Sequence, residues 1–105
     1  MAEINVKEKS SGDDLFVFDV EVVEGDTKTT HTVEVGKSYY EKLTGGKVVP
    51  HELVKRSFEF LLRREPKESI LKAFNITKIS YYFPEYEEEI KHTLINADGK
   101  TDKHR

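Results

Sequence analysis

The clearest hydrophobic pattern in the chain lies between Pro50 and Arg64. On a helix that turns about 100° per residue, one broad arc collects the apolar side chains and the opposite arc collects the charged ones. The first arc consists of Leu53, Val54, Ser57, Phe58, Phe60, Leu61 and Leu62. Pro50 suits a first helical turn, whereas Pro66 cannot continue a helix. The pattern predicts an amphipathic core helix over residues 50–64 that buries its apolar face.

Residues 3–35 show a different period, the alternation of two that is typical of β-strands. The clearest run places four side chains on one face, namely Phe16, Phe18, Val20 and Val22. Weaker alternation occurs in residues 3–9 and 29–35, and Glu24-Gly25-Asp26 has the composition of a turn. We therefore predict a small antiparallel β-hairpin or meander over about residues 3–35, with its apolar face covered by the core helix.

Short helical patterns fill the rest of the chain. They cover residues 38–44, 67–74, 76–83 and 84–95, and the first of them is followed by the helix-terminating pair Gly45-Gly46. Residues 96–105 contain one apolar side chain, Ala97, which predicts a disordered tail. The expected fold is α+β, as a single domain over residues 1–95.

Composition narrows the functional classes. Hydrophobic and charged residues make up 36% and 35% of the chain, and the net charge is −3. The absence of cysteine excludes a disulfide framework and a thiolate nucleophile, and fits the cytoplasm, the compartment we expect. No run of about 18 apolar residues occurs, so no association with membranes is expected.

The sequence contains no legible pairing of a nucleophile with a base, no carboxylate pair and no cluster of metal ligands. We therefore expect a protein that is not an enzyme, with no catalytic residue, no metal and no cofactor. His31 shares a strand face with Val33 and Val35 and could act as a ligand or a general base. The pattern favours instead a ring half covered at the edge of the sheet.

An aromatic group near the C-terminus suggests an interaction surface. Four rings occur within six residues, and one short helix cannot readily bury them all; they are Tyr81, Tyr82, Phe83 and Tyr86. We take Tyr81, Tyr82 and Tyr86 as the candidate surface for a protein partner or a second copy of the chain. The alternative is that these rings complete a small core.

A second functional hypothesis is nucleic-acid binding through a helix-turn-helix-like unit at residues 67–83, with Asn75 in its turn. The candidate contacts are cationic side chains, namely Arg56, Arg63, Arg64, Lys67 and Lys78. The second helix of that unit has Lys78 as its one base, and the acidic run Glu85–Glu89 would lie close to the phosphates. A protein-interaction module is therefore the favoured hypothesis, and nucleic-acid binding is the alternative.

Two stretches carry a resemblance to a known family. The segments 57–71 (SFEFLLRREPKESIL) and 79–87 (ISYYFPEYE) together resemble a family of small uncharacterised proteins of about 100 residues. That family has no known activity. The resemblance implies a self-standing domain and transfers no site residue.

Overall fold

The computed structural model describes the backbone of residues 2–99 and the side chains of residues 2–94. The elements follow in the order β1 (Glu3–Ser11), β2 (Leu15–Glu24), β3 (Thr27–Gly36), α1 (Lys37–Thr44), α2 (Pro50–Leu62), a 3-10 turn (Lys67–Ser69), β4 (Ala73–Asn75), α3 (Thr77–Tyr82) and α4 (Tyr86–Gly99). The predicted α+β fold, with helices after the strands, is confirmed.

The strands form one sheet in the order β1-β2-β3-β4. The first three make the predicted antiparallel meander, in which Val20 lies opposite Val6 on one side and His31 on the other. β4 was not predicted, and it pairs in parallel with β3 so that Phe74 lies beside Val33. The sheet is therefore mixed, with its last strand supplied from much later in the chain.

The core lies between one face of the sheet and the helices. Phe18, Val20 and Val22 of β2 are buried, as the alternation predicted. α2 packs against β1 and β2, and its Phe58 and Leu53 are fully buried. α4 packs against α1, α2 and α3, which completes the helical layer. The predicted covering of the meander by the core helix is confirmed.

The prediction of a helix over residues 67–74 is wrong. That segment forms the 3-10 turn and β4, because the backbone groups that flank β4 bond to β3 instead of to a helical turn. The Thr32 N–H donates to the Lys72 carbonyl at 2.7 Å, and the Ile76 N–H donates to the Glu34 carbonyl at 2.9 Å. The two-helix unit proposed for residues 67–83 is therefore not present, since α3 is the one α-helix within that range.

The remaining helix boundaries differ by a few residues. α2 ends at Leu62, before the predicted residue 64, and α3 occupies the centre of the predicted helix 76–83. α4 begins at Tyr86 and continues to Gly99, so the predicted tail over residues 96–105 starts inside this helix. Residues 100–105 lie outside the described residues. None of the described helices is long and apolar enough to cross a bilayer.

Candidate interaction groove

A groove of about 330 Å³ opens between the C-terminal end of α2, the segment that leads into β4, and α3. Its apolar lining combines side chains from all three parts of the chain, namely Leu61, Ile70, Leu71, Phe74, Ile79, Tyr82 and Phe83. Glu65, Ser69 and Lys78 supply the polar groups. The groove is thus mostly apolar with a few polar groups, which is the usual composition of a binding site.

Local sequence explains how the groove forms. Pro66 cannot extend α2, and the Ser69 N–H donates to its carbonyl at 2.9 Å, which turns the chain back towards the sheet. Ile70 is then buried while its neighbour Leu71 is 45% exposed. On the other side, the Asn75 side chain accepts the N–H of Thr77 at 3.1 Å and holds the first turn of α3 against the end of β4.

Two of the three predicted partner-surface residues are exposed. Tyr81 is 76% exposed and Tyr82 is 57% exposed, and their ring centroids lie 5.3 Å apart in an edge-to-face arrangement. Tyr82 also lines the groove. The Lys78 ammonium lies 5.4 Å from the centroid of the Tyr81 ring, which gives this pair of aromatics a cationic neighbour.

Tyr86 does not belong to that surface, and its assignment there is corrected. Its ring is fully buried and packs edge-to-face against Phe60, with centroids 5.2 Å apart. Its hydroxyl lies 2.6 Å from the Ser57 hydroxyl, which itself donates to the Leu53 carbonyl. Burial raises the pKa of Tyr86, so this hydroxyl stays protonated and completes the core as a hydrogen-bond donor.

Glu65 is the groove residue with the most unusual electrostatics. Its carboxylate is partly buried beside apolar side chains and makes no hydrogen bond or ion pair with any of the described residues. This burial raises the pKa of Glu65 because the charged form loses water without gaining a partner. A cationic group of a ligand would stabilise the ionised form of this unpaired carboxylate.

The five candidate nucleic-acid contacts are not brought together. Arg56 donates to Glu52 of its own helix and to the Thr93 carbonyl of α4. Arg64 lies over the Phe60 ring and bonds to two carboxylates of the acidic run at 3.0 and 2.9 Å, those of Glu85 and Glu89. Their charges are therefore largely neutralised within the fold.

Lys67 is also engaged, and it is buried. Its ammonium donates to Glu24, Thr27 and Glu68 at 3.0, 2.6 and 2.8 Å, which ties the 3-10 turn to the turn between β2 and β3. The carboxylates of Glu68 and Glu24 raise the pKa of Lys67. Of the five residues, Arg63 and Lys78 have no carboxylate partner among the described residues, and they line two separate concavities.

His31 is buried in the core, whereas the sequence favoured a half-covered ring. Its Nδ1–H donates to the Leu71 carbonyl at 2.8 Å, which leaves Nε2 to accept from the Thr29 hydroxyl at 2.9 Å. The segment that precedes β4 thus closes over the ring. Desolvation lowers the pKa of His31, so the ring is neutral and both nitrogens are occupied.

Sequence reasoning missed Leu71 and Glu65 as groove residues. Leu71 lay in the segment 67–74 that was predicted to be a helix, and Glu65 lay between that segment and the core helix, where no site was predicted. The described residues contain no group of three side chains that could hold a metal ion.

No family model, curated protein or solved structure matches the chain. This outcome agrees with the resemblance noted above, which implied neither an activity nor any site residue.

Proposed function

We propose that this chain is a non-catalytic protein-interaction module. Its partner surface consists of the groove together with the exposed rings of Tyr81 and Tyr82; we call this the groove surface. The cytoplasmic setting expected from the cysteine-free sequence belongs to the same proposal.

One observation carries the proposal. Four large hydrophobic side chains are exposed in the described part of the chain, and three of them lie at this surface: Leu71, Tyr81 and Tyr82. The fourth, Val49, precedes the opposite end of α2. Isolated exposed apolar side chains are ordinary, but a cluster beside an open apolar groove is typical of an interface. Tyrosine is also among the residues most enriched at the energetic centres of interfaces.

The test compares capture of cytoplasmic proteins by three forms of the chain. We expect the double variant Leu71→Ser/Tyr82→Ser to lose the proteins that the natural chain captures, because it removes the exposed apolar contacts. Val49→Ser is the control, since it removes an apolar side chain that is exposed elsewhere, and it should capture as the natural chain does. Melting temperatures of all three should agree within a few degrees, because exposed side chains contribute little to the core. Unchanged capture by the folded double variant would contradict the proposal.

A further inference from the structure

The outer edge of β4 offers backbone hydrogen-bonding groups that the described residues do not use. In a parallel ladder, alternate residues direct their N–H and C=O groups to the same neighbouring strand. The bonds made by Lys72 and Ile76 place Phe74 between them as the β4 residue that faces β3. Ala73 and Asn75 therefore direct their backbone groups away from β3, and β4 is the last strand of the sheet.

The opposite edge of the sheet, β1, is less suited to pairing with another chain. β1 carries Lys7, Glu8 and Lys9, and its register is interrupted between Glu8 and Ser10. Charged side chains and an irregular register are features that prevent an edge strand from pairing with another chain. β4 is uncharged, reading Ala-Phe-Asn, and its pairing with β3 is regular. Strand addition is thus favoured at β4 and disfavoured at β1.

The groove lies beside this same edge. Phe74 of β4 lines it together with Leu71 and Tyr82. Because side chains of a strand point alternately to the two faces of a sheet, a segment paired with β4 would direct every second side chain towards the groove. Backbone pairing and insertion of an apolar side chain can therefore occur in one bound conformation.

Charge complementarity identifies a further property of the occupant. The Glu65 carboxylate has no partner among the described residues, and the groove's own cation, Lys78, lies instead near the Tyr81 ring. A cationic side chain of the occupant would pair with Glu65 in a partly desolvated setting, where such a pair is stronger than in open solvent.

We propose that the groove surface binds an extended segment of a partner protein, which pairs as a strand with the outer edge of β4, inserts an apolar side chain between Leu71 and Tyr82, and places a lysine or arginine against Glu65. This inference rests on the proposed function and specifies the chemistry of the partner.

The probe is a displayed library of random 12-residue peptides selected against the full chain. Enriched peptides are then synthesised, and their dissociation constants are measured by fluorescence anisotropy. We expect enriched sequences to alternate apolar and polar residues and to contain a lysine or arginine. Tyr82→Ala should weaken their binding about tenfold or more, which is the magnitude expected for a tyrosine at the centre of an interface.

Two further variants test the bound conformation, namely whether the peptide pairs with β4 as a strand and whether its cation contacts Glu65. Ala73→Pro removes one outward N–H while it leaves the bonds to β3 in place, so it should weaken binding about three- to tenfold, whereas Ala73→Ser should not. Glu65→Gln should weaken binding about tenfold and reduce its salt dependence, because the cation loses its ionised partner. In a further test, the peptide amides are N-methylated one at a time. Methylation should abolish binding at every second position, where the N–H faces β4, and this measurement requires no change in the protein.

If no peptide is enriched, or if Tyr82→Ala binds the peptides as the natural chain does, this inference fails, and the proposed function is judged separately by the protein-capture comparison above. Peptides that require Tyr82 but tolerate Ala73→Pro, Glu65→Gln and N-methylation at all positions would leave the proposed function intact and overturn the strand-pairing inference. Self-association of the purified chain that Ala73→Pro abolishes would identify a second copy as the occupant and overturn the inference of a separate partner.

Discussion

At the scale of single residues, His31 shows how one buried ring couples two distant parts of the chain. Its Nδ1–H bonds to the carbonyl of Leu71, 40 residues later, and its ring lies 5.4 Å from that of Phe58. Desolvation lowers its pKa, and the nearby positive charge of Lys72 acts in the same direction. The hydrogen bond to Leu71 acts in the opposite direction, and the net lowering of the pKa means that the folded state favours the neutral ring.

The lowered pKa of His31 in the folded state predicts how stability depends on pH. The unfolded chain takes up a proton on His31 as the pH falls below about 6.5, whereas the folded chain does so only at lower pH. The stabilisation is thus complete above about pH 6.5 and is lost as the pH falls towards the lower folded pKa. The free energy of unfolding, measured by urea denaturation from pH 7.5 to 5.5, should decrease. The slope from this one proton is at most about 1.4 kcal/mol per pH unit.

The matched variants isolate this contribution. His31→Gln should be less stable at pH 7.5 and should show a flatter pH dependence than the natural chain. His51→Gln, which changes an exposed side chain, should retain the slope. The raised pKa of Glu65 acts in the opposite sense, because the folded state then binds its proton more readily than the unfolded state. Equal slopes for the natural chain and His31→Gln would contradict the prediction.

The sequence predicted part of this residue-scale structure. Alternation placed His31 on the face of Val33 and Val35, and all three side chains are buried. Tyr86 was assigned to the candidate partner surface, and its burial follows the alternative in which the rings complete a small core. The sequence could not supply the hydrogen-bond partners of His31 and Tyr86. The Leu71 carbonyl and the Ser57 hydroxyl are distant from them in the chain and become their neighbours only when the core forms.

At the scale of elements, α1 ends as its sequence predicts. Gly45 adopts φ 64°, and its N–H donates to the Glu41 carbonyl at 2.7 Å, which ends the helix in left-handed backbone. A side chain at this position is strained whatever space surrounds it.

Gly45→Ala should therefore lower the free energy of unfolding by about 1–2 kcal/mol, as measured by urea denaturation. Gly12→Ala is the matched control. Gly12 does not have positive φ, and a methyl group there would meet its nearest neighbour, the Leu15 carbonyl oxygen, at an ordinary 3.8 Å. Equal midpoints for the two variants would show that the left-handed backbone at Gly45 is not a constraint.

The element that the sequence did not predict is β4. Ile70, Leu71 and Phe74 have helical spacing, and a strand of three residues is too short to show a recognisable alternation. What decides between helix and strand is the availability of Thr32 and Glu34 on β3 as backbone partners, which is a tertiary property. The groove depends on this strand, so its lining could not be assembled from the sequence.

At the scale of the whole molecule, the distribution of charge bears on the nucleic-acid alternative. The net charge is −3, and the acidic side chains that hold Arg64 and Lys67 neutralise much of the positive charge assigned to that function. Affinity for duplex DNA depends largely on how many phosphates a protein neutralises.

We therefore expect no measurable binding to a short duplex at low salt by fluorescence anisotropy. The double variant Arg63→Ala/Lys78→Ala removes the two candidate cations that lack a carboxylate partner in the described residues, and it should behave as the natural chain does. Salt-dependent binding that this variant weakens would restore the alternative.

The short parallel strand also has a consequence for how the molecule opens. β4 pairs with β3 at three positions, whereas β2 and β3 pair at ten. Releasing β4 would break a few backbone bonds and the His31 contact to Leu71, but it would leave the antiparallel meander intact. Regions with few such bonds open at lower free energy than the core does. The β4 segment is accordingly expected to fluctuate as a cooperative unit of its own, so that partner binding at its edge would rigidify it and suppress sub-global unfolding.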